Sequence, residues 1–207
     1  MLRAFLAMIV ALTAVLLAAV PAGAQSTYRY PEKTALSAYD EAVFFFAGRF
    51  HTDWFKDSLT PWSVNWDGSY IVGGGYQKTL VDWKDFRLGL EGGIAGRIAP
   101  DGSSAEVWAG VYGRYDGWVF GNVRFSPALT FGLSAATGTQ GHEGNRMNQW
   151  GQYEPILVYL GPEFNFSLAD QPQWEVFTRF QHRSGAYGLI ADLDASNAVT
   201  AGFRYKF

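Results

Sequence analysis

The chain has 207 residues, a formal net charge of -3 and no cysteine. The near-neutral charge gives no case for nucleic-acid binding, and the lack of cysteine excludes disulfides and thiol chemistry. The length fits a single domain, rich in glycine and aromatic residues (24 Gly, 16 Phe, 11 Tyr and 8 Trp).

The first 24 residues have the pattern of a secretory signal peptide. Arg3 precedes an apolar run over residues 4–20 that contains a single polar residue, Thr13, and Ala22 and Ala24 form an A-x-A cleavage pattern. We therefore predict a signal peptide at 1–24, an amino-terminal lead-in without clear periodicity at 25–40, and one further domain at 41–207. No apolar run in the mature chain reaches the roughly 20 residues of a transmembrane helix.

Alternating apolar and polar residues predict eight strands in the mature chain. The predicted strands cover residues 41–51, 69–80, 86–98, 105–115, 119–135, 154–167, 173–184 and 197–207. Asp116-Gly117 is predicted as a tight hairpin turn. Short connections alternate with longer ones, which cover residues 51–68, 99–104, 137–153 and 185–196.

An even number of strands, with short turns at one end and long loops at the other, is typical of bacterial outer-membrane barrels. A periplasmic β-sandwich, the soluble alternative, has no reason to sort its loops in this way. The terminal Phe207, with Tyr205 and Phe203 on its face, resembles the C-terminal signature of such barrels. Fourteen charged residues lie opposite the apolar stripe: Arg49, Arg87, Glu91, Arg97, Glu106, Arg114, Arg124, Glu154, Glu163, Glu175, Arg179, Arg183, Arg204 and Lys206.

These features predict an all-β protein, an eight-stranded antiparallel transmembrane β-barrel in the bacterial outer membrane. An eight-stranded barrel is just wide enough for side chains to fill it. The charged face therefore predicts a polar, filled interior and argues against a solute-conducting porin.

His182 and Ser184 lie on the apolar, lipid-facing side of the seventh predicted strand. Residues two apart on a strand share a face, with Cα atoms roughly 6–7 Å apart. An imidazole nitrogen can then approach a serine hydroxyl, as in nucleophilic acyl transfer. An unpaired histidine at the membrane edge costs free energy, which points to a function. The alternative is that both residues are simply hydrated at the barrel rim.

The segment RFQHRSGAYG at 179–188, followed by a last strand that ends in phenylalanine, resembles the lipid A 3-O-deacylase family. Members are eight-stranded outer-membrane barrels with an H-x-S-N motif facing the outer leaflet and a glutamate on the last strand. They hydrolyse the ester-linked acyl chain at the lipid A 3 position without a metal. The resemblance implies that Ser184 is the nucleophile and His182 the general base, with an acyl chain along Val176 and Phe180.

The sequence departs from this family pattern at two positions. Gly185 replaces the asparagine that follows the serine, so a backbone N–H would have to supply the oxyanion contact. The last strand has no glutamate at the expected place, which leaves Asn197, or Asp194 in the preceding loop, to orient His182.

The predicted function is a serine esterase that removes an ester-linked acyl chain from lipid A, lipopolysaccharide or a related outer-leaflet lipid, without a cofactor. The alternative is a non-catalytic barrel with a structural, lipid-binding or loop-mediated role. The sequence leaves open whether the barrel forms a homodimer. His51 with Asp53, or His142 with Glu143, could suggest a metal site, but these pairs lie in separate loops and are explained more simply as exposed loop residues. We therefore predict no metal site.

Overall fold

The computed structural model describes residues 39–207 except 152, 192 and 193, and the side chains of residues 150, 194 and 195 also lie outside the description. The predicted signal peptide and nearly all of the predicted lead-in fall outside the described residues. Within the described part of the chain, no helix combines the length and apolar character needed to span a membrane.

The described chain forms one antiparallel sheet of eight long strands and one short strand. The strands are β1 Glu41–His51, β2 Trp66–Trp83, β3 Phe86–Ala99, β4 Gly102–Tyr115, β5 Trp118–Phe120, β6 Val123–Ala136, β7 Ile156–Leu168, β8 Gln171–Ser184 and β9 Asp194–Lys206. Each long strand pairs with two neighbours, because β1 pairs with β9 and β4 pairs with β6. The sheet is therefore closed, and the predicted eight-stranded antiparallel barrel is confirmed.

The fifth predicted strand is interrupted. The short strand β5 pairs with the start of β6, and the chain reverses at Gly121, which has a φ of +61°. The predicted hairpin turn at Asp116-Gly117 is therefore wrong. Asp116 is buried instead of exposed in a turn, and its carboxylate accepts hydrogen bonds from Arg114 Nε and Ser126 Oγ, both at 2.6 Å.

The connections sort to the two ends of the barrel, as predicted. The turn end holds residues 84–85, 121–122 and 169–170, together with the backbone pairing of Glu41 with Phe207. The loop end holds the connections 52–65, 137–155 and 185–193. The predicted connection at 99–104 also lies at the loop end, but it is shorter than predicted, since residues 100–101 alone join β3 to β4.

Two of the long connections contain helices that the sequence analysis did not predict. Residues Phe55–Leu59 form a 3₁₀ helix, and Gly141–Trp150 form the α-helix α1. The buried Glu143 of α1 bonds to Arg97 and lies 2.9 Å from Arg183 Nη1. The helix therefore covers the loop end of the barrel and extends its interior ion-pair network.

The barrel interior contains most of the predicted charges. Twelve of the fourteen residues are buried: Arg87, Glu91, Arg97, Glu106, Arg114, Arg124, Glu163, Glu175, Arg179, Arg183, Arg204 and Lys206. Opposite charges pair there, as where Arg179 Nε donates to Glu163 Oε1 at 2.5 Å and Arg179 Nη2 donates to Glu91 Oε2 at 2.7 Å. Paired charges satisfy one another in a region from which water is excluded, and the predicted polar filling is confirmed.

The other two predicted interior charges lie elsewhere. Arg49 faces outward, where its guanidinium lies over the rings of Trp66 and Tyr70 and its Nε donates to Asp67 O at 2.7 Å. Glu154 is half-buried in the connection before β7. Arg49 faces outward because β1 turns Phe44, Phe46 and Phe50 inward, where they form part of an apolar cluster. That cluster consists of Phe44, Phe46, Phe50, Ile71, Ala95, Trp108, Tyr159, Phe177 and Ala198.

The outer wall is apolar and carries aromatic residues at its ends. Large exposed side chains alternate along the strands, as with Leu88 and Leu90 on β3 and Val107 and Val111 on β4. Aromatic contacts gather at the turn end, for example the stacking of Trp118 on Phe125 with ring centroids 5.6 Å apart. An apolar band edged by aromatic residues matches a bilayer and its interfaces.

Candidate active site on the outer wall

Three polar side chains form a hydrogen-bonded chain on the outer wall at the loop end. His182 and Ser184 share the outward face of β8, and Asn197 lies opposite His182 on β9. His182 Nε2 lies 3.1 Å from Ser184 Oγ, and His182 Nδ1 lies 2.6 Å from Asn197 Oδ1. This is the order of contacts that a nucleophile, a general base and an orienting residue require.

The orientation of the Asn197 amide determines which nitrogen of His182 carries the proton. Asn197 Nδ2 donates to the backbone carbonyl of Asp53 at 3.0 Å. A carbonyl can only accept, so the amide nitrogen must face Asp53 and the amide oxygen must face His182. We therefore assign the proton to His182 Nδ1, which leaves Nε2 free to accept the hydrogen of the Ser184 hydroxyl.

An aromatic ring covers the imidazole. The rings of Phe55 and His182 lie 4.3 Å apart between centroids, and His182 is only 8% exposed although it faces outward. Ser184 is half-buried. The base is therefore sheltered from its surroundings, while the hydroxyl remains partly open.

The other predicted site residues occupy different environments. Val176 is exposed on the apolar wall, whereas Phe180 is buried and packs edge-on against Phe164. An acyl chain on the wall would thus contact Val176 directly but not Phe180. The backbone of Asp194 pairs with Ser184 across β8 and β9, and its side chain lies outside the described part of the chain.

Gly185 has a packing role that explains the missing asparagine. A Cβ at this position would lie 1.8 Å from Ala191 O. The backbone N–H groups of Ile190 and Ala191 both donate to the Gly185 carbonyl, which closes the connection tightly against itself. No larger residue fits here unless the connection 185–193 moves.

Replacing Gly185 with asparagine, the residue of the family motif, is therefore expected to destabilise the protein. Overpacking of this kind costs about 1–3 kcal/mol. The midpoint of urea unfolding in lipid vesicles measures the effect, with Gly138→Asn as the control, since a Cβ on Gly138 meets its nearest neighbour at an ordinary 3.6 Å. Equal midpoints for the two variants would contradict this account of Gly185.

Sequence reasoning missed the part played by the connection 52–65. His51 was weighed as a metal ligand beside Asp53, but its Nε2 lies 2.8 Å from Ser58 Oγ. Asp53 instead accepts from the backbone N–H of Asn65 at 2.5 Å and from the Asn65 side chain at 3.1 Å. These hydrogen bonds hold the pKa of the Asp53 carboxyl below its usual range. Among the described residues, no group of three His, Asp or Glu side chains could hold a metal ion.

Comparison with known proteins establishes the fold. No protein-family model matches the sequence, and no curated protein matches it. The structure is similar to that of the outer membrane enzyme PagL, with a TM-score of 0.54 and 13% identity over 80% of this chain and 99% of that chain. It is also similar to Neisserial surface protein A (NspA), with a TM-score of 0.46 and 16% identity over 81% and 97% of the two chains. A de novo designed transmembrane β-barrel gives a TM-score of 0.48 and 14% identity over 82% and 97%.

At 13% identity, the similarity to PagL shows the fold alone. The chain has the eight-stranded barrel fold of bacterial outer-membrane proteins, which embeds its apolar wall in a membrane. A fold does not decide an activity, so function must be argued from the site itself.

Proposed function

We propose that this protein is an outer-membrane serine esterase that removes an ester-linked acyl chain from lipid A or a related outer-leaflet lipid. The observation that carries the proposal is the hydrogen-bonded chain from Ser184 through His182 to Asn197 on the lipid-facing wall. The resemblance of residues 179–188 to the lipid A 3-O-deacylase family gives further support, and the similarity to the outer membrane enzyme PagL shows that an enzyme can have this fold.

In this mechanism Ser184 Oγ attacks the ester carbonyl carbon while His182 Nε2 accepts the hydroxyl proton. The carbonyl oxygen becomes an oxyanion, and a backbone N–H at Gly185 is the proposed donor to it. The C–O bond of the ester then breaks, and His182 returns the proton to the leaving alcohol oxygen. A water molecule, deprotonated by His182, hydrolyses the acyl-serine and releases the fatty acid.

Asn197 would act as a positioning residue. Its amide oxygen holds His182 in the tautomer that a general base needs. An amide carries no charge, so it stabilises the imidazolium less than a carboxylate would. We therefore propose that catalysis depends on the orientation of His182 by Asn197 more than on a negative charge beside the imidazolium.

The location of the site suits a lipid substrate. Loops of outer-membrane barrels face the cell exterior, so the loop end would place Ser184 at the level of the outer leaflet. The exposed Val176 lies further along the same face of β8, toward the turn end. An acyl chain aligned with the strands could contact Val176 while its ester reached Ser184.

A non-catalytic barrel is the second candidate, and a specific observation favours it. Phe55 covers His182, and a buried, fully bonded His–Asn pair can serve stability alone. In that case the long connections of the loop end would carry a binding role.

Mass spectrometry of lipid A distinguishes the two candidates. Cells that express the wild-type protein should lose one acyl chain from lipid A, and cells that express Ser184→Ala or His182→Ala should not. Unchanged lipid A with all three proteins, each shown to be folded in the outer membrane, would exclude this substrate and favour the binding role.

A further inference from the structure

The connection 52–65 lies against the outer wall instead of extending away from the barrel. It covers a row of three outward-facing residues on neighbouring strands, namely His182 on β8, Asn197 on β9 and His51 on β1. Asn197 lies in the middle of the row, opposite His182 on one side and opposite His51 on the other. Such a row would otherwise leave two imidazoles and an amide facing lipid, where unpaired polar groups are costly.

Each member of the row is contacted by a different residue of the connection. Ser58 Oγ lies 2.8 Å from His51 Nε2, and both residues are almost fully buried. The carbonyl of Asp53 accepts from Asn197 Nδ2 at 3.0 Å, and the Phe55 ring packs on His182. The connection therefore holds the row at three separate points.

The opposite side of the same connection is apolar and exposed. Trp54, Leu59 and Trp62 are 63%, 57% and 82% exposed. Tryptophan favours the interface between membrane and water, so the bilayer would hold the connection from outside while the row holds it from inside. The ionised Asp53 carboxylate accepts hydrogen bonds from Asn65 and so links the two ends of the connection 52–65. These hydrogen bonds weaken as the pH falls through the lowered pKa of Asp53.

From these contacts we propose that the connection 52–65 is a positioning element, with Phe55 and Ser58 as its positioning residues. It orients the Asn197 amide through the Asp53 carbonyl and so selects the Nδ1–H tautomer of His182. The expected effect on catalysis rests on the proposed esterase function. The selection of the His182 tautomer by the connection 52–65 is independent of that function. Ser58 is only 1% exposed, so its role is to hydrogen-bond His51 and not to act as a second nucleophile.

Phe55→Ala and Ser58→Ala are therefore expected to lower kcat about 10- to 100-fold, since small displacements of catalytic groups carry penalties of this size. KM should stay within about twofold, because neither residue contributes to the proposed acyl-chain contacts. Lys56→Ala is the matched control, because the Lys56 side chain belongs to the same 3₁₀ helix and is 78% exposed.

Nitrogen-15 NMR of histidine-labelled protein in lipid nanodiscs supplies a readout that does not need activity. With three histidines in the chain, the imidazole signals can be assigned by substitution. We expect a single Nδ1–H form for His182 in the wild type and in Lys56→Ala, and a mixture of tautomers in Phe55→Ala and Ser58→Ala. An unchanged single tautomer in both of those variants would overturn the proposal. Loss of the esterase function alone would leave this NMR difference intact.

Discussion

Replacing Ser184 with alanine is expected to lower the rate of ester hydrolysis by at least about 10³-fold, the scale seen when a triad nucleophile is removed. The substitution removes the hydroxyl that lies 3.1 Å from His182 Nε2. It leaves the His182–Asn197 bond intact, so the loss is expected without a change in barrel stability. Release of fatty acid from lipid by purified protein in vesicles measures the rate.

A double variant tests whether Ser184 and His182 act as one unit. Ser184→Ala, His182→Ala and the combination should all be about equally slow, because removing either member of a nucleophile–base pair disables the other. Thr178→Ala is the control, since Thr178 lies on the same face of β8, six residues before Ser184. Independent, additive effects of the two substitutions would contradict the proposed roles.

Replacing Glu175 with glutamine is expected to destabilise the barrel by about 3–5 kcal/mol, the usual cost of removing one partner from a buried ion pair. The Glu175 carboxylate bonds to Arg204, accepts from Arg114 Nη1 at 2.8 Å and lies 2.9 Å from Lys206 Nζ. Neutralising it leaves an excess of positive charge inside a closed barrel, where water cannot compensate.

Urea unfolding in lipid vesicles measures this loss against a surface ion pair. Asp40 also pairs with a lysine, with Oδ2 2.8 Å from Lys78 Nζ, but the Asp40 and Lys78 side chains are 54% and 36% exposed. Exposed pairs contribute little to stability, so Asp40→Asn should unfold at nearly the wild-type urea concentration. A Glu175→Gln protein as stable as Asp40→Asn would show that the interior charges are not held as described.

The barrel could be predicted from the sequence because its evidence is local. Alternation along each strand assigns side chains to the two faces, and the charges mark the inside. The same parity placed His182 and Ser184 on one outward face, and this inference needs only the two-residue repeat. Asn197 was identified through the resemblance, because it lies near the place where the lipid A 3-O-deacylase family has a glutamate on its last strand.

The remaining features depend on contacts between distant parts of the chain. Alternation assigned the charged Arg49 to the interior, and only the inward packing of Phe44 and Phe46 shows that the opposite face of β1 is the interior. Helix α1 lies in a polar, glycine-rich segment whose pattern predicts a loop, and the burial of Glu143 between two arginines stabilises it there. Likewise, no periodicity could show that Asp53 and Phe55 fold back onto β8 and β9.

The row of His51, Asn197 and His182 crosses the place where the first and last strands meet. Asp53 follows β1, whereas Asn197 belongs to β9, so their hydrogen bond exists only after the barrel has closed. A newly exported chain whose ends are still apart therefore lacks the contact that selects the tautomer of His182. If the protein is the proposed esterase, such an open chain is inactive, and closure of the barrel in the membrane completes its active site.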